Sequence, residues 1–161
     1  MEVSCPVAIV NYDPRWPLIY EEEKHCILGV GGSRILDVAR IGSTAVVGLG
    51  AKPIVDIMVG VKCSSDADEL LPLLREIGYK DAIRQLGHSE WYYCLRQVVH
   101  GEEPWLQDFH LHLMKFRSET WERQLKSLAH LKCVWRNSLV SNAKVGIKSV
   151  LEWRYYPQNK S

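Results

Sequence analysis

A chain of 161 residues with an ordinary apolar content of 47% is long enough to form one domain and bury roughly two thirds of its unfolded surface, so it needs neither disulfides nor metals as staples. Twenty basic against nineteen acidic residues give no charge excess, which argues against nucleic acid or anionic membrane as a general partner. The five cysteines, at 5, 26, 63, 94 and 133, are odd in number and lack metal or redox spacing. They fit a reducing, cytoplasmic compartment. The opening Met1-Glu-Val-Ser-Cys-Pro6 has no signal-peptide character, and no apolar run approaches the ~20 residues that span a bilayer.

In chain order, Val7, Ile9 and Tyr12-Asp-Pro-Arg-Trp-Pro17 predict a short extended opening and a turn, because each proline restricts its predecessor. A first helix begins at Trp16-Pro17 and runs through Leu18, Ile19 and Ile27 to a stop at Gly29, Gly31 and Gly32. Ile35, Leu36, Val38 and Ile41 mark a strand over 34–41, and the glycine-rich stretch Ala45 to Ala51 reads as a bend. The run Pro53 to Val61 is the clearest strand, with Asp56 on the face of Ile54 and Met58, opposite Val55, Ile57 and Val59. A helix over 66–77 carries the stripe Leu70, Leu73, Leu74 and Ile77, and Gly78 ends it.

Further strands are predicted over 91–96 and 109–116, separated by Gly101-Glu-Glu-Pro104. A helix follows from Ser118 through Leu125, Leu128 and Leu131, with Glu122 placed for first-turn contacts. Another helical piece is expected from Ser141 to Trp153, before a loose tail. The elements define an α+β domain over 1–154, with a tail over 155–161, in which helices cover one face of a mixed sheet. The thirteen Trp and Tyr residues do not make a base-stacking pattern without accompanying basic residues. Trp16, Trp121, Trp135 and Trp153 are expected in the core.

Two clusters carry chemistry. In Arg40-Ile-Gly-Ser-Thr-Ala-Val46, Gly42 and Ser43 can offer backbone N–H groups and a hydroxyl to an anion, or simply form a helix cap. Asp56 then stands isolated in an apolar strand, as a metal or proton ligand or as an acceptor of local hydrogen bonds. In Phe109-His-Leu-His-Leu113, strand alternation sets His110 and His112 on one face, where they can bind a metal, move protons or make ordinary hydrogen bonds. Lys52, Arg40 and Arg96 are candidate phosphate contacts, although taken singly each reads first as a surface cation lying over apolar neighbours.

The segments Asn11-Tyr-Asp-Pro-Arg-Trp-Pro17, Ile41-Gly-Ser-Thr-Ala-Val46, Gly48 through Val59, Arg75-Glu-Ile-Gly-Tyr79 and His110-Leu-His-Leu113 together resemble the GrpB (UPF0157) family. That family is similar to the nucleotidyltransferase superfamily and occurs fused to dephospho-CoA kinase in some bacteria, which implies a partner enzyme. The chain departs from the family pattern at Ala39-Arg40, Val47, Phe109 and Trp135-Arg136-Asn137.

Nucleotidyltransferases hold two ions with Asp-x-Asp and a third carboxylate. Here Asp56-Ile-Met58 supplies only the first acid, and a thioether is a poor ligand for hard Mg²⁺. The resemblance therefore implies a mixed centre of Asp56, His110 and His112 suited to Zn²⁺, Mn²⁺ or Fe²⁺, with Gly42, Ser43, Lys52 and Arg96 holding phosphates. The expected ligand is a phosphate-containing nucleotide or coenzyme, bound without chemistry or as the substrate of a transferase or phosphohydrolase.

Overall fold

The computed structural model describes residues 9–84, 92–98 and 108–141, with the backbone alone for 81–84, 92–94, 96–98 and 108. The expected turn at Gly101-Glu-Glu-Pro104, the helical piece after Ser141 and the tail lie outside the described residues. The chain enters through Asp13, whose carboxylate accepts from the Arg15 amide at 2.8 Å and pairs with its guanidinium at 2.9 Å. That hydrogen bonding holds the Asp13 carboxyl below the usual carboxylate range. Helix α1 (Trp16–Gly31) follows, with Pro17 in its first turn, where a missing N–H costs nothing. Its Trp16, Tyr20 and Ile27 are buried.

Five strands form one sheet: β1 (Ile35–Ile41), β2 (Ile54–Val61), β3 (Lys80–Arg84), β4 (Tyr92–Val98) and β5 (Asp108–Lys115). Their spatial order is β1-β2-β5-β4-β3, with β2 and β5 parallel and the other neighbours antiparallel. Helix α2 (Ser64–Glu76) leads from β2 towards β3, and α3 (Glu119–Val140) follows β5. Ser118 caps α3 by accepting from the Trp121 amide at 3.2 Å, which satisfies one orphan donor of the first turn. The mixed sheet with flanking helices is the α+β architecture expected from the sequence.

Strand β3 was not expected. Lys80-Asp-Ala-Ile-Arg84 has no apolar alternation, and it needs none, because it lies at the sheet edge beyond β4.

One face of the sheet carries Val55, Ile57, Val59, Leu111 and Leu113 into a core shared with Trp16 and Ile27 of α1 and Leu70 and Leu74 of α2. The expectation that helices cover one face only is corrected by α3. Its Trp121 packs on Met58, Ile41 and Met114, which belong to the other face. Gly60 makes this seat available: a Cβ there would stand 2.8 Å from the Trp121 ring and 3.0 Å from Phe116. Trp135, expected in the core, is half-buried and instead donates from Nε1 to the Val47 carbonyl at 3.1 Å. Val47 and Trp135 thus meet, tying α3 to the segment that follows the Gly42-Ser43 turn.

Candidate functional site

Parallel pairing of β2 with β5 sets Asp56 opposite His110 and Met58 opposite His112. Paired residues of neighbouring strands share a face, so the carboxylate and both imidazoles converge on the side away from α1 and α2. Asp56 Oδ1 lies 3.1 Å from His112 Nε2 and 3.8 Å from His110 Nδ1. The rings stand nearly perpendicular, at 85°, with centroids 6.1 Å apart. Side-chain exposure rises from 8% at Asp56 through 14% at His112 to 36% at His110, so the site opens towards solvent on the His110 side.

These three residues can hold a metal. Their ligand atoms all lie within 4.8 Å of one another. A tetrahedral ion with bonds of ~2.1 Å sets its ligands roughly 3.4 Å apart, a value bracketed by the two separations from Asp56. One carboxylate and two imidazoles match the preferences of Zn²⁺, Mn²⁺ and Fe²⁺, and three protein ligands leave a coordination position for water or substrate. Without an ion, the Asp56–His112 contact is a hydrogen bond that pre-orients the pair.

Met58 is fully buried, against Ile41, Met114 and Trp121. The residue two along from Asp56 on this face is therefore an apolar side chain tucked under α3.

On the other side of Asp56 lies the Gly42-Ser43 turn. Ile41 is the β1 partner of Asp56, so the turn begins one residue beyond it. Gly42 has φ 80° and ψ −176°, a combination open to glycine alone. The amides of Ala45 and Val46 are committed to the carbonyls of Gly42 and Ser43. Ser43 and Thr44 are both buried, and Thr44 Oγ1 has no hydrogen-bond partner among the described residues. Such an orphan costs about 1–3 kcal/mol. Thr44 belongs to the Gly-Ser-Thr segment, but sequence does not reveal which hydroxyl is buried unpaired.

Lys52 is half-buried four residues upstream of Asp56, in a segment pinned by the paired backbone bonds of Val10 and Ala51. Arg96 pairs with His110 across β4 and β5 and so shares the site face by register.

Arg40 does not belong to this face. It pairs with Ile57 on the helix-covered side, where its guanidinium lies 5.7 Å from the Tyr20 ring. Tyr20 donates to the Val38 carbonyl at 3.0 Å, and burial, reinforced by Glu21 and Asp37, pushes its phenol up to about 12.

The fold and site define a class: an α+β protein with a mixed five-stranded sheet and a candidate Asp/His/His cation centre beside a glycine-serine turn. The family model described as GrpB protein matches residues 6–133, and the chain belongs to that family. It is 34% identical over 123 residues to the UPF0157 protein BH1888 of Halalkalibacterium halodurans, an alignment spanning 76% of this chain and 59% of that protein. The crystal structure of the conserved protein GrpB from Enterococcus faecalis superposes with a TM-score of 0.65 at 26% identity, covering 92% of both chains. A fainter likeness, to the Cid1 poly(U) polymerase bound to MgATP, has a TM-score of 0.49 at 12% identity over 77% of this chain and 41% of that one.

Proposed function

We propose that this protein is nucleotidyltransferase-like and binds, or acts on, a phosphate-containing nucleotide or coenzyme with one divalent cation held by Asp56, His110 and His112. The observation that carries the reading is the convergence of these three side chains next to the Gly42 turn. In this reading Ser43 and the orphaned Thr44 hydroxyl orient phosphate oxygens, and Lys52 and Arg96 offset their charge. A bound cation would supply Lewis-acid polarisation of a phosphoryl oxygen. In the ion-free form Asp56 would keep His112 oriented and the more exposed His110 would take a proton from an acceptor hydroxyl or water, whereas with the ion bound both imidazoles would serve as ligands.

The ion is Zn²⁺, Mn²⁺ or Fe²⁺ rather than Mg²⁺ in this proposal, because imidazole dominates the donor set. Burial of Met58 favours a second reading, a non-catalytic nucleotide or phosphometabolite-binding module that supports a partner enzyme. A phosphohydrolase would use the same three ligands with water as acceptor. The exposed thiols of Cys26, Cys63 and Cys133 suit a reducing, cytoplasmic setting. No helix among the described residues is long and apolar enough to cross a membrane.

Metal analysis of protein purified without added ions, followed by calorimetric titration with a phosphorylated nucleotide and its nucleoside, tests the proposal. One surviving charge-assisted contact, about 1.5–3 kcal/mol, predicts at least a tenfold preference for the phosphorylated ligand. Equal affinity for both members of each pair across a nucleotide and coenzyme panel would refute it.

A further inference from the structure

The Gly42-Ser43 turn opens a segment that runs from the end of β1 to Ala51, where the backbone pairs with Val10. Its internal backbone bonds are short-range: the Ala45 amide to Gly42 at 3.1 Å, Val46 to Ser43 at 3.1 Å and Leu49 to Val46 at 3.2 Å. Bonds of this range fix the shape of the turn but not its place beside Asp56. Val46 and Leu49 are buried and anchor the base of the loop by packing, whereas the Val47 side chain between them is 71% exposed. The tip at Val47 and Gly48 therefore gains little anchorage from its own side chains.

Helix α3 supplies what the tip lacks. Trp135 Nε1 donates to the Val47 carbonyl at 3.1 Å. A Cβ at Gly48, whose φ is +82°, would stand 3.6 Å from the same nitrogen, so the loop backbone lies against the edge of the indole. The indole is itself held in place. Its backbone carbonyl accepts from the buried Ser138 hydroxyl at 2.7 Å, and the start of α3 is seated by Trp121 in one cluster with Ile41, the β1 partner of Asp56. One helix thus packs with the residue that precedes the turn and bonds the tip that follows it. Between these two anchors, three residues before Val47, stands Thr44 with its buried, unpartnered hydroxyl.

We infer that Trp135 is a positioning residue: its bond to Val47 holds the loop so that the Thr44 hydroxyl is set to meet a phosphate chain beside the cation. This rests on the phosphate reading of the Gly42-Ser43 turn and extends it to a residue of α3 that acts through the loop rather than on the ligand. Groups that serve a ligand need supporting contacts that fix them to within about 0.5 Å. One hydrogen bond between uncharged groups is worth about two- to tenfold in an equilibrium constant. A tie that only stabilised the fold would lower stability without making phosphate affinity depend on the indole N–H.

Inorganic tripolyphosphate probes the turn without a base. Calorimetric titration of the full chain, first with Mn²⁺ and then with tripolyphosphate in saturating Mn²⁺, reads the cation and the anion separately. Trp135→Phe keeps an aromatic ring and deletes the donor. It should weaken tripolyphosphate about fivefold and leave Mn²⁺ affinity unchanged. Thr44→Val deletes the unpartnered hydroxyl and should weaken tripolyphosphate about tenfold. In the Thr44→Val background, Trp135→Phe should cost less than about twofold, because the group it positions is gone. Thermal melts verify that each variant is folded. If Trp135→Phe does not fold, Gly48→Ala, which strains the same tip from the loop side, carries the same expectation.

Unchanged tripolyphosphate affinity in Trp135→Phe, or a loss equally large in the Thr44→Val background, overturns the positioning inference and leaves the phosphate turn standing. Failure of wild-type protein that takes up Mn²⁺ to bind tripolyphosphate overturns the inference and the phosphate reading but not the cation site. Failure to take up either removes both proposals together.

Discussion

The two faces of strand β2 are built on opposite rules. Val55, Ile57 and Val59 point into a core closed by α1 and α2 and set mainly by apolar packing, although Arg40 and the orphaned indole nitrogen of Trp16 share that side. Asp56, one residue away, is buried on the other face beside two imidazoles, an orphaned hydroxyl and a glycine held at φ 80°. The first face brings no metal-ligand cluster together among the described residues. The second keeps a buried carboxylate and a turn that only glycine can make, and buried polar groups of this kind concentrate where a ligand is held.

Substitutions at adjacent residues should separate these rules. Ile57→Ala is expected to have the largest effect on folding, a loss of about 2–5 kcal/mol in denaturant unfolding, because the side chain is fully buried and leaves a cavity. Cation affinity of the molecules that remain folded should be unchanged. A comparable loss of affinity in that variant would show that the faces are coupled through the sheet.

Gly60→Ala should cost about 1–3 kcal/mol by forcing the new methyl against Trp121 and Phe116. Truncating Trp121 to Leu in the same chain should recover part of that loss. Additive effects in the double-mutant cycle would reject Trp121 as the obstruction.

Asp56→Asn should reverse the pattern of Ile57→Ala. Its amide oxygen can still accept from His112 and its volume is nearly conserved, so stability should move by less than about 1 kcal/mol. Loss of the anionic ligand should lower Mn²⁺ or Zn²⁺ affinity at least about tenfold. Equal metal affinity in calorimetry would remove Asp56 from the ligand set.

The smallest expected effect sharpens the account of the closed face. Glu23 of α1 accepts from the fully buried Tyr79 hydroxyl at 2.8 Å. Burial raises the Glu23 carboxyl above its ordinary 4.5, partly opposed by that hydrogen bond, and burial also raises the Tyr79 phenol. Between the unfolded and folded values the native state binds more protons than the unfolded chain. Stability should therefore fall as pH rises from 4.5 through the raised value and level off above it. Glu23→Gln should flatten that slope, whereas Tyr79→Phe, by deleting the opposing hydrogen bond, should extend it to higher pH. Chemical unfolding at a series of pH values reads both, and an unchanged slope in Glu23→Gln would assign the dependence to other groups.

Much of this architecture was legible in the chain itself, because one-dimensional signals have direct structural consequences. Period-two alternation fixed which side of β2 carries Asp56 and which side of β5 carries both histidines, and proline, glycine and serine marked the ends of α1, α2 and α3. Five short segments of the chain suffice to suggest the GrpB family. What the alternation leaves open is which strands become neighbours. Only the parallel pairing of β2 with β5 brought Asp56 against His110 and His112, and only the antiparallel register of β1 turned Arg40 away from the site towards Tyr20. Strand β3 stayed hidden because an edge strand satisfies its backbone through β4 without apolar alternation. The burial of Thr44 Oγ1 and the seat of Trp121 over Met58 likewise arise from contacts between distant segments. Local propensity and period are written residue by residue, whereas register, burial and ligand geometry exist only once the chain has folded onto itself.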